Sequence, residues 1–211
     1  MPGPGCKPVS RGYTQEVAEE LKTTIYVALL RAVNVGGRGK VAMSDLREFC
    51  VGLGLADAQS LMQTGNLVFR SEDKAAALED VLEEEAAKRL DLRTDFLVRT
   101  ADQLAEVVDR NPFPDEAKRD PSHLLVFFTK KAVNEAAVES LRASVKGPEL
   151  IRADGNVAYI TYPDGIGRSR LTNAVIESKL GTRGTGRNWN TVLKLSELAR
   201  LAAEGPGSSK G

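Results

Sequence analysis

A pair of matching hairpin signals constrains this chain more than anything else in it. Thr64-Gly65-Asn66 opens the run Leu67-Val68-Phe69, and Asp154-Gly155-Asn156 opens Val157-Ala158-Tyr159. Gly and Asn accept the positive φ that tight hairpins demand, and the β-branched and aromatic residues behind them favour a pleated strand. From Gly65 to Gly155 the offset is 90 residues. Each hairpin sits inside the same succession of periodic segments, so the spacing predicts one supersecondary unit used twice.

In the first copy the pattern predicts a strand over 24–31, a helix over 44–54, strands over 58–64 and 67–71, a long acidic helix over 73–90 and a strand over 93–99. That order, β-α-β-β-α-β, is the ferredoxin-like split βαβ arrangement. A helix over 101–110 and the Pro-rich loop Asn111-Pro-Phe-Pro-Asp115 link it to the second copy. There the pattern predicts a strand over 123–130, a helix over 134–144, strands over 149–153 and 156–162, a helix over 170–180, a strand near 182–186 and a last helix over 190–203. The expected fold class is α+β, a tandem pair of ferredoxin-like units with mostly antiparallel sheets. The expected segments are 1–23 as a flexible extension (with a short helix over 13–22), 24–100, the 101–121 link, 122–204, and a flexible tail over 205–211.

Length agrees, since 211 residues accommodate two domains of about 100 residues each. Lys+Arg and Asp+Glu balance at 29 each, which argues against generic nucleic-acid binding, where excess positive charge neutralises phosphate. Cys6 and Cys50 form no Cys-x-x-Cys and suit a reducing cytoplasm. The first residues lack the apolar core of a secretory signal, and no run of about 18 apolar residues suggests a membrane span. A cytoplasmic protein is expected.

Three clusters bear on function. The first is Asn34-Val-Gly36-Gly37-Arg38-Gly-Lys40-Val41, between a strand and a helix start. Against the P-loop pattern it fails at both ends: Asn34 stands where the first Gly belongs, and Val41 where a Ser or Thr would hold magnesium. It also fails the dinucleotide pattern. What survives is a glycine loop whose backbone N–H groups, with Arg31, Arg38 and Lys40, can cradle a phosphate or carboxylate. Gln63 and Thr64 end the strand before the first hairpin and are placed to add polar contacts, or simply to finish the turn. The second cluster is Gly181-Thr-Arg-Gly-Thr-Gly-Arg187-Asn188-Trp189-Asn190-Thr191, at the start of the last helix. Arg187 can hold a charge, the chain's single Trp can stack on a ring, and both Asn residues are good caps. Equally, Asn190 can cap that helix while Trp189 packs between the halves. The third is Pro163-Asp-Gly-Ile-Gly-Arg168-Ser-Arg170, an anion-binding type of turn or a plain surface loop.

Other candidates read as structural. His123 is the chain's single His, with no assigned Asp or Ser partner, and reads as an edge or core residue. Glu83-Glu84-Glu85 reads as a solvated helix face. No His/Cys/carboxylate spacing suggests a metal, and no nucleophile stands beside a base. No cofactor is implied.

Five segments together resemble the bacterial domain-of-unknown-function family number 1697: 26–37, Gln63-Thr-Gly-Asn-Leu-Val-Phe69, Asn111-Pro-Phe113, Gly167-Arg-Ser-Arg-Leu171 and Arg187-Asn-Trp-Asn-Thr-Val192. The resemblance runs in order over residues 24–203. It implies an α+β fold of two ferredoxin-like halves and no established activity. The chain departs from the family at Ala32-Val33, where Gly-Ile is usual, and at Gly186, where a Thr is frequent.

The reading that follows is a binder of a small anionic, phosphorylated or nucleotide-like ligand held between the halves. Arg31, Asn34, Gly36, Gly37, Lys40 and Gln63 would come from one side, and Arg168, Arg187, Asn188, Trp189 and Asn190 from the other. Two alternatives stay open: a non-enzymatic protein-interaction module, and an RNA binder using Phe127, Phe128, Tyr159 and Tyr162 on an open sheet.

Overall fold

The computed structural model describes residues 23–31, 41–61 and 65–204. In the first half it forms β1 (Thr24–Leu30), α1 (Met43–Gly52), β2 (Ala56–Ser60), β3 (Asn66–Ser71), α2 (Ala75–Arg89) and β4 (Phe96–Thr100). The link holds α3 (Ala101–Asp109) and α4 (Pro114–Arg119). The second half forms β5 (Leu124–Thr129), α5 (Glu135–Ser144), β6 (Ile151–Asp154), β7 (Val157–Thr161), α6 (Asn173–Leu180), β8 (Gly184–Asn188) and α7 (Trp189–Glu204).

Each half makes one four-stranded antiparallel sheet, in the orders β2-β3-β1-β4 and β6-β7-β5-β8. Read within its own half, each is second-third-first-fourth, so the duplicated ferredoxin-like fold is present. Local chemistry places several boundaries. Thr100 and Gln103 form a capping box at the start of α3, Asn134 caps α5, and Thr172 caps α6. Gly181 ends α6 with φ 66°, a left-handed conformation that favours glycine.

Period-2 alternation sorts the strand residues into layers. Tyr26, Ala28, Leu30, Leu67, Phe69, Phe96 and Val98 pack under α1 and α2. Leu125, Phe127, Ala158 and Ile160 pack under α5 and α6. The other faces share one central core, in which Ile25, Val27 and Leu29 meet Leu124, Val126 and Phe128 around Leu104 and Val107 of α3 and Trp189, Val192 and Leu195 of α7. Helix α7 packs on β1, β3, β5, β8 and α3, so the last helix belongs to both halves.

Four expectations change. Phe127, Phe128, Tyr159 and Tyr162 are all buried, so the open aromatic sheet that RNA recognition needs is covered by helices. The Pro-rich part of the link, expected as loop after the first linking helix, holds a helix as well: Pro114 opens α4 at its first turn, where a missing N–H costs nothing, and Phe113 anchors it in the central core. Strand β2 starts at Ala56 with a register shift before Gln59, next to Asp57 at φ 54°. Helix α7 starts at Trp189, directly after β8. The expected extension and tail lie outside the described residues.

Gly184 shows how closely β8 is seated. A Cβ there would lie 2.4 Å from Phe127 Cε1 and 2.4 Å from the Phe128 carbonyl oxygen. The backbone oxygen cannot step aside, so Gly184→Ala should destabilise the protein by roughly 2–3 kcal/mol, as overpacking does. Urea denaturation checks this; an unchanged midpoint would show that β8 has slack.

Candidate functional site

The end of β1 is where the two halves are stitched together. Leu30 N–H donates to Gly65 O at 2.9 Å, and Arg31 N–H to Asp95 O at 2.9 Å, so β1, the first hairpin and the start of β4 meet there. Along β8, Gly184 and Gly186 lie against Phe127 and Leu125, whereas Thr185 and Arg187 lie on the opposite face, toward the first half.

Arg187 is 8 % exposed and binds across that boundary. Its Nε donates to Asn66 Oδ1 at 2.6 Å, Nη1 to Thr185 Oγ1 at 2.7 Å, and Nη2 to Leu30 O at 2.9 Å and Gly65 O at 3.2 Å. Asn66 in turn donates Nδ2–H to Leu61 O at 3.1 Å. Burial pushes the Arg187 guanidinium down to about 10, which still leaves it charged at neutral pH. A planar fork that reaches several acceptors at once suits this place better than a lysine.

Arg31 lies beside it in a wetter setting. Its Nε and Nη2 hold Glu177 Oε1 and Oε2 at 2.6 and 2.7 Å, a bidentate pair between the halves. Asp95 Oδ2 lies 3.8 Å from Arg31 Nη1, and Asp95 Oδ1 lies 2.8 Å from Arg183 Nη1. Burial raises the Glu177 pKa, but the Arg31 fork and the Gly184 N–H outweigh that and hold it below its ordinary value. The hydrogen bond to Glu177 raises Arg31.

Of the expected site residues, the structure brings Arg31 and Arg187 to one junction, through the Leu30 carbonyl. Asn34, Gly36, Gly37, Lys40 and Gln63 lie outside the described residues. Asn188 Oδ1 accepts the Thr191 N–H at 3.0 Å, so Asn188, not Asn190, caps α7. Trp189 is 5 % exposed in the central core, and Asn190 is exposed. Arg168 stands elsewhere, on an exposed turn beside a cleft of about 710 Å³ in the second half.

Three features escaped the sequence reading. Glu83 is no solvated residue: its Oε1 accepts the Phe96 N–H at 2.9 Å and Lys130 Nζ at 2.5 Å. With Glu79, which accepts the Val98 N–H and Lys130, it covers the outer edge of β4. The i,i+4 spacing of Glu79 and Glu83 was a usable signal. Second, Arg99 reaches from β4 to Thr129 O at 2.6 Å, a further bond between the halves. Third, His123 has a partner, Asp120 Oδ2 at 2.6 Å from Nδ1, and Ser122 donates to Asp120 Oδ1 at 2.8 Å. Both groups address the carboxylate, so the serine is not activated by the histidine and no triad forms. Among the described residues no group of three metal-ligating side chains gathers, and burial pushes the Cys50 thiol up to about 12, which leaves it unreactive.

Fold and junction together define a class: a duplicated ferredoxin-like α+β protein whose halves are locked by a buried arginine. The chain belongs to the family described as "Protein of unknown function (DUF1697)", whose model matches residues 23–159. The segments 167–171 and 187–192 lie past that match. No curated protein matches the chain. A solved structure, that of the conserved bacterial protein SP0830 from Streptococcus pneumoniae, is similar in fold with a TM-score of 0.67 at 22 % identity, over 84 % of this chain and 99 % of that one. No helix among the described residues is long and apolar enough to cross a membrane.

Proposed function

We propose that the protein is a cytoplasmic binder of a small anionic ligand, phosphorylated or nucleotide-like, held between its halves at the end of β1. The observation that carries this reading is the Arg31–Glu177 fork, directly before the glycine-rich sequence 32–40. A carboxylate held bidentately occupies the geometry that two phosphate oxygens would take. An incoming anion displaces Glu177 and gains the donors of Asn34, Gly36, Gly37, Lys40 and Gln63. Arg187 is a positioning residue in this scheme, since it holds the Leu30 and Gly65 carbonyls, at the end of β1 and the start of the first hairpin's second strand. No reaction is assigned.

Thermal-shift titration with inorganic phosphate, nucleotides and sugar phosphates tests the reading. Stabilisation by at least one anion is expected, lost in Arg31→Ala and strengthened in Glu177→Gln, each measured against its own unliganded baseline. If no anion stabilises the protein, or if Arg31→Ala binds as the parent does, the junction is purely structural.

The same pair sets a pH dependence. Glu177 has a lower pKa folded than unfolded, so the unfolded state takes up its proton first as pH falls. The stability margin of the parent over Glu177→Gln should be about 1 kcal/mol at neutral pH, discounted for the partial exposure of Arg31. It should shrink as pH drops through the ordinary carboxylate range and vanish below the folded pKa. Denaturant midpoints at about pH 7 and about pH 3 check it; a margin that persists in acid would mean the pair contributes nothing as an ion pair.

A further inference from the structure

Resting on the anion-binding reading of the junction, we infer that Arg183 is the second cationic arm of that site, and that with Arg31 it selects a doubly charged phosphate monoester over singly charged anions. Exposure alone does not single Arg183 out, since exposed cations are spread over the chain. The carboxylate it shares with Arg31 does. Asp95, its side chain 7 % exposed, accepts Arg183 Nη1 on Oδ1 at 2.8 Å and stands 3.8 Å from Arg31 Nη1 through Oδ2. The backbone fixes this arrangement: Arg31 N–H donates to Asp95 O and Lys130 N–H to Arg183 O, each at 2.9 Å. Solutes reach both arms, because the Arg31 and Arg183 side chains are 35 % and 67 % exposed.

Glu177 marks the place the ligand takes. Its Oε1 accepts Arg31 Nε at 2.6 Å and the Gly184 N–H at 2.9 Å, and its Oε2 accepts Arg31 Nη2 at 2.7 Å. Gly184 follows Arg183 directly, so adjacent residues at the start of β8 supply an N–H and a guanidinium. Against the opposing effect of burial, the Arg31 fork, the Gly184 N–H and then the Arg183 charge hold the Glu177 pKa below its ordinary value. The field of Arg183 therefore already acts on whatever sits there.

A carboxylate has two oxygens, and the fork with the Gly184 N–H uses both. A free carboxylate thus gains nothing that Glu177 does not, and it competes with a tethered copy at high effective concentration. A phosphate monoester brings a third oxygen and, above its second pKa of about 6, a second charge. Arg183 spends Nη1 on Asp95 and has further N–H donors for both. Displacing Glu177 costs every ligand the same, so Glu177 sets a threshold and Arg183 supplies the discrimination.

Calorimetric titration of the full chain with methyl phosphate, dimethyl phosphate and acetate tests this, since at about pH 8 only the first carries two charges. Methyl phosphate should bind about tenfold tighter than either monoanion, or more. Glu177→Gln should strengthen all three by a similar factor and bring the monoanions into the measurable range. In that background Arg183→Ala should weaken methyl phosphate by about tenfold and the monoanions by clearly less. Arg183→Lys should keep much of the preference, because the charge remains. The far-UV spectrum of Arg183→Ala should match the parent's, the side chain being exposed. Equal affinity for the three probes, or an Arg183→Ala variant that weakens all three alike or none, would overturn the inference and leave the junction reading standing. Failure of every probe to bind even Glu177→Gln would overturn the junction reading and this one with it.

Discussion

Arg187→Ala should lose roughly 3–5 kcal/mol of stability, the range seen when one partner of a buried charged network is removed. The side chain serves Asn66, Leu30 and Gly65 in one half and Thr185 in the other. Alanine takes one donor each from Asn66 Oδ1, Thr185 Oγ1 and the Leu30 and Gly65 carbonyls, and opens a cavity at the boundary between the halves. For a chain of this size the loss corresponds to a Tm lower by on the order of 10 °C. Arg187→Lys should recover less than half, because a single ammonium cannot span acceptors that the guanidinium reaches from three nitrogens. Chemical denaturation followed by far-UV circular dichroism measures both. An Arg187→Ala variant within about 1 kcal/mol of the parent would mean that the residue is not the lock between the halves.

Trp189→Ala should cost a similar amount, about 3–5 kcal/mol, for a different reason. Trp189 is 5 % exposed and sits in the core that Leu104, Val126 and Val192 also build. Its removal leaves a void where both sheets and α7 meet. Trp189→Phe should recover much of the loss, since a smaller ring still fills part of the space. Because this is the chain's single Trp, emission from the parent protein reports on that core directly: a blue-shifted band should move red in one step with loss of the far-UV signal. Emission already at the exposed-Trp wavelength in the native protein would contradict the burial. The Arg187 and Trp189 effects should not add, since the residues lie two apart and serve one boundary.

Much of the fold was legible because its signals are local. Gly65-Asn66 and Gly155-Asn156 mark the hairpins, and Thr100, Asn134, Thr172 and Gly181 mark helix ends by their own side-chain or backbone chemistry. Helix α4 is hidden in a segment whose Pro content reads as loop, although Pro114 stands at a first turn, where it starts a helix. The role of Glu83 was missed because a run of three glutamates looks uniform in sequence. On α2, Glu83 turns to the β4 edge while Glu84 and Glu85 meet Lys88.

The candidate site was legible in part. Arg31 and Arg187 were picked out separately by glycine-rich and asparagine-rich surroundings, but their partners were not. Glu177 stands 146 positions from Arg31, and Asn66 stands 121 from Arg187, with nothing in their own neighbourhoods to link them.

By itself, then, the sequence determined most of the elements, their order and their duplication, because periodicity, turns and caps act over a few residues. Only the tertiary structure decided which basic residue does what. Arg31, Arg168 and Arg187 look alike in sequence, each close to glycine. The alternation along β8, laid against the end of β1, takes Arg187 out of water. The same packing brings Glu177 onto Arg31 and leaves Arg168 open on a cleft. Burial and pairing depend on what lies across the space from a residue, and contacts made more than a hundred positions away set that.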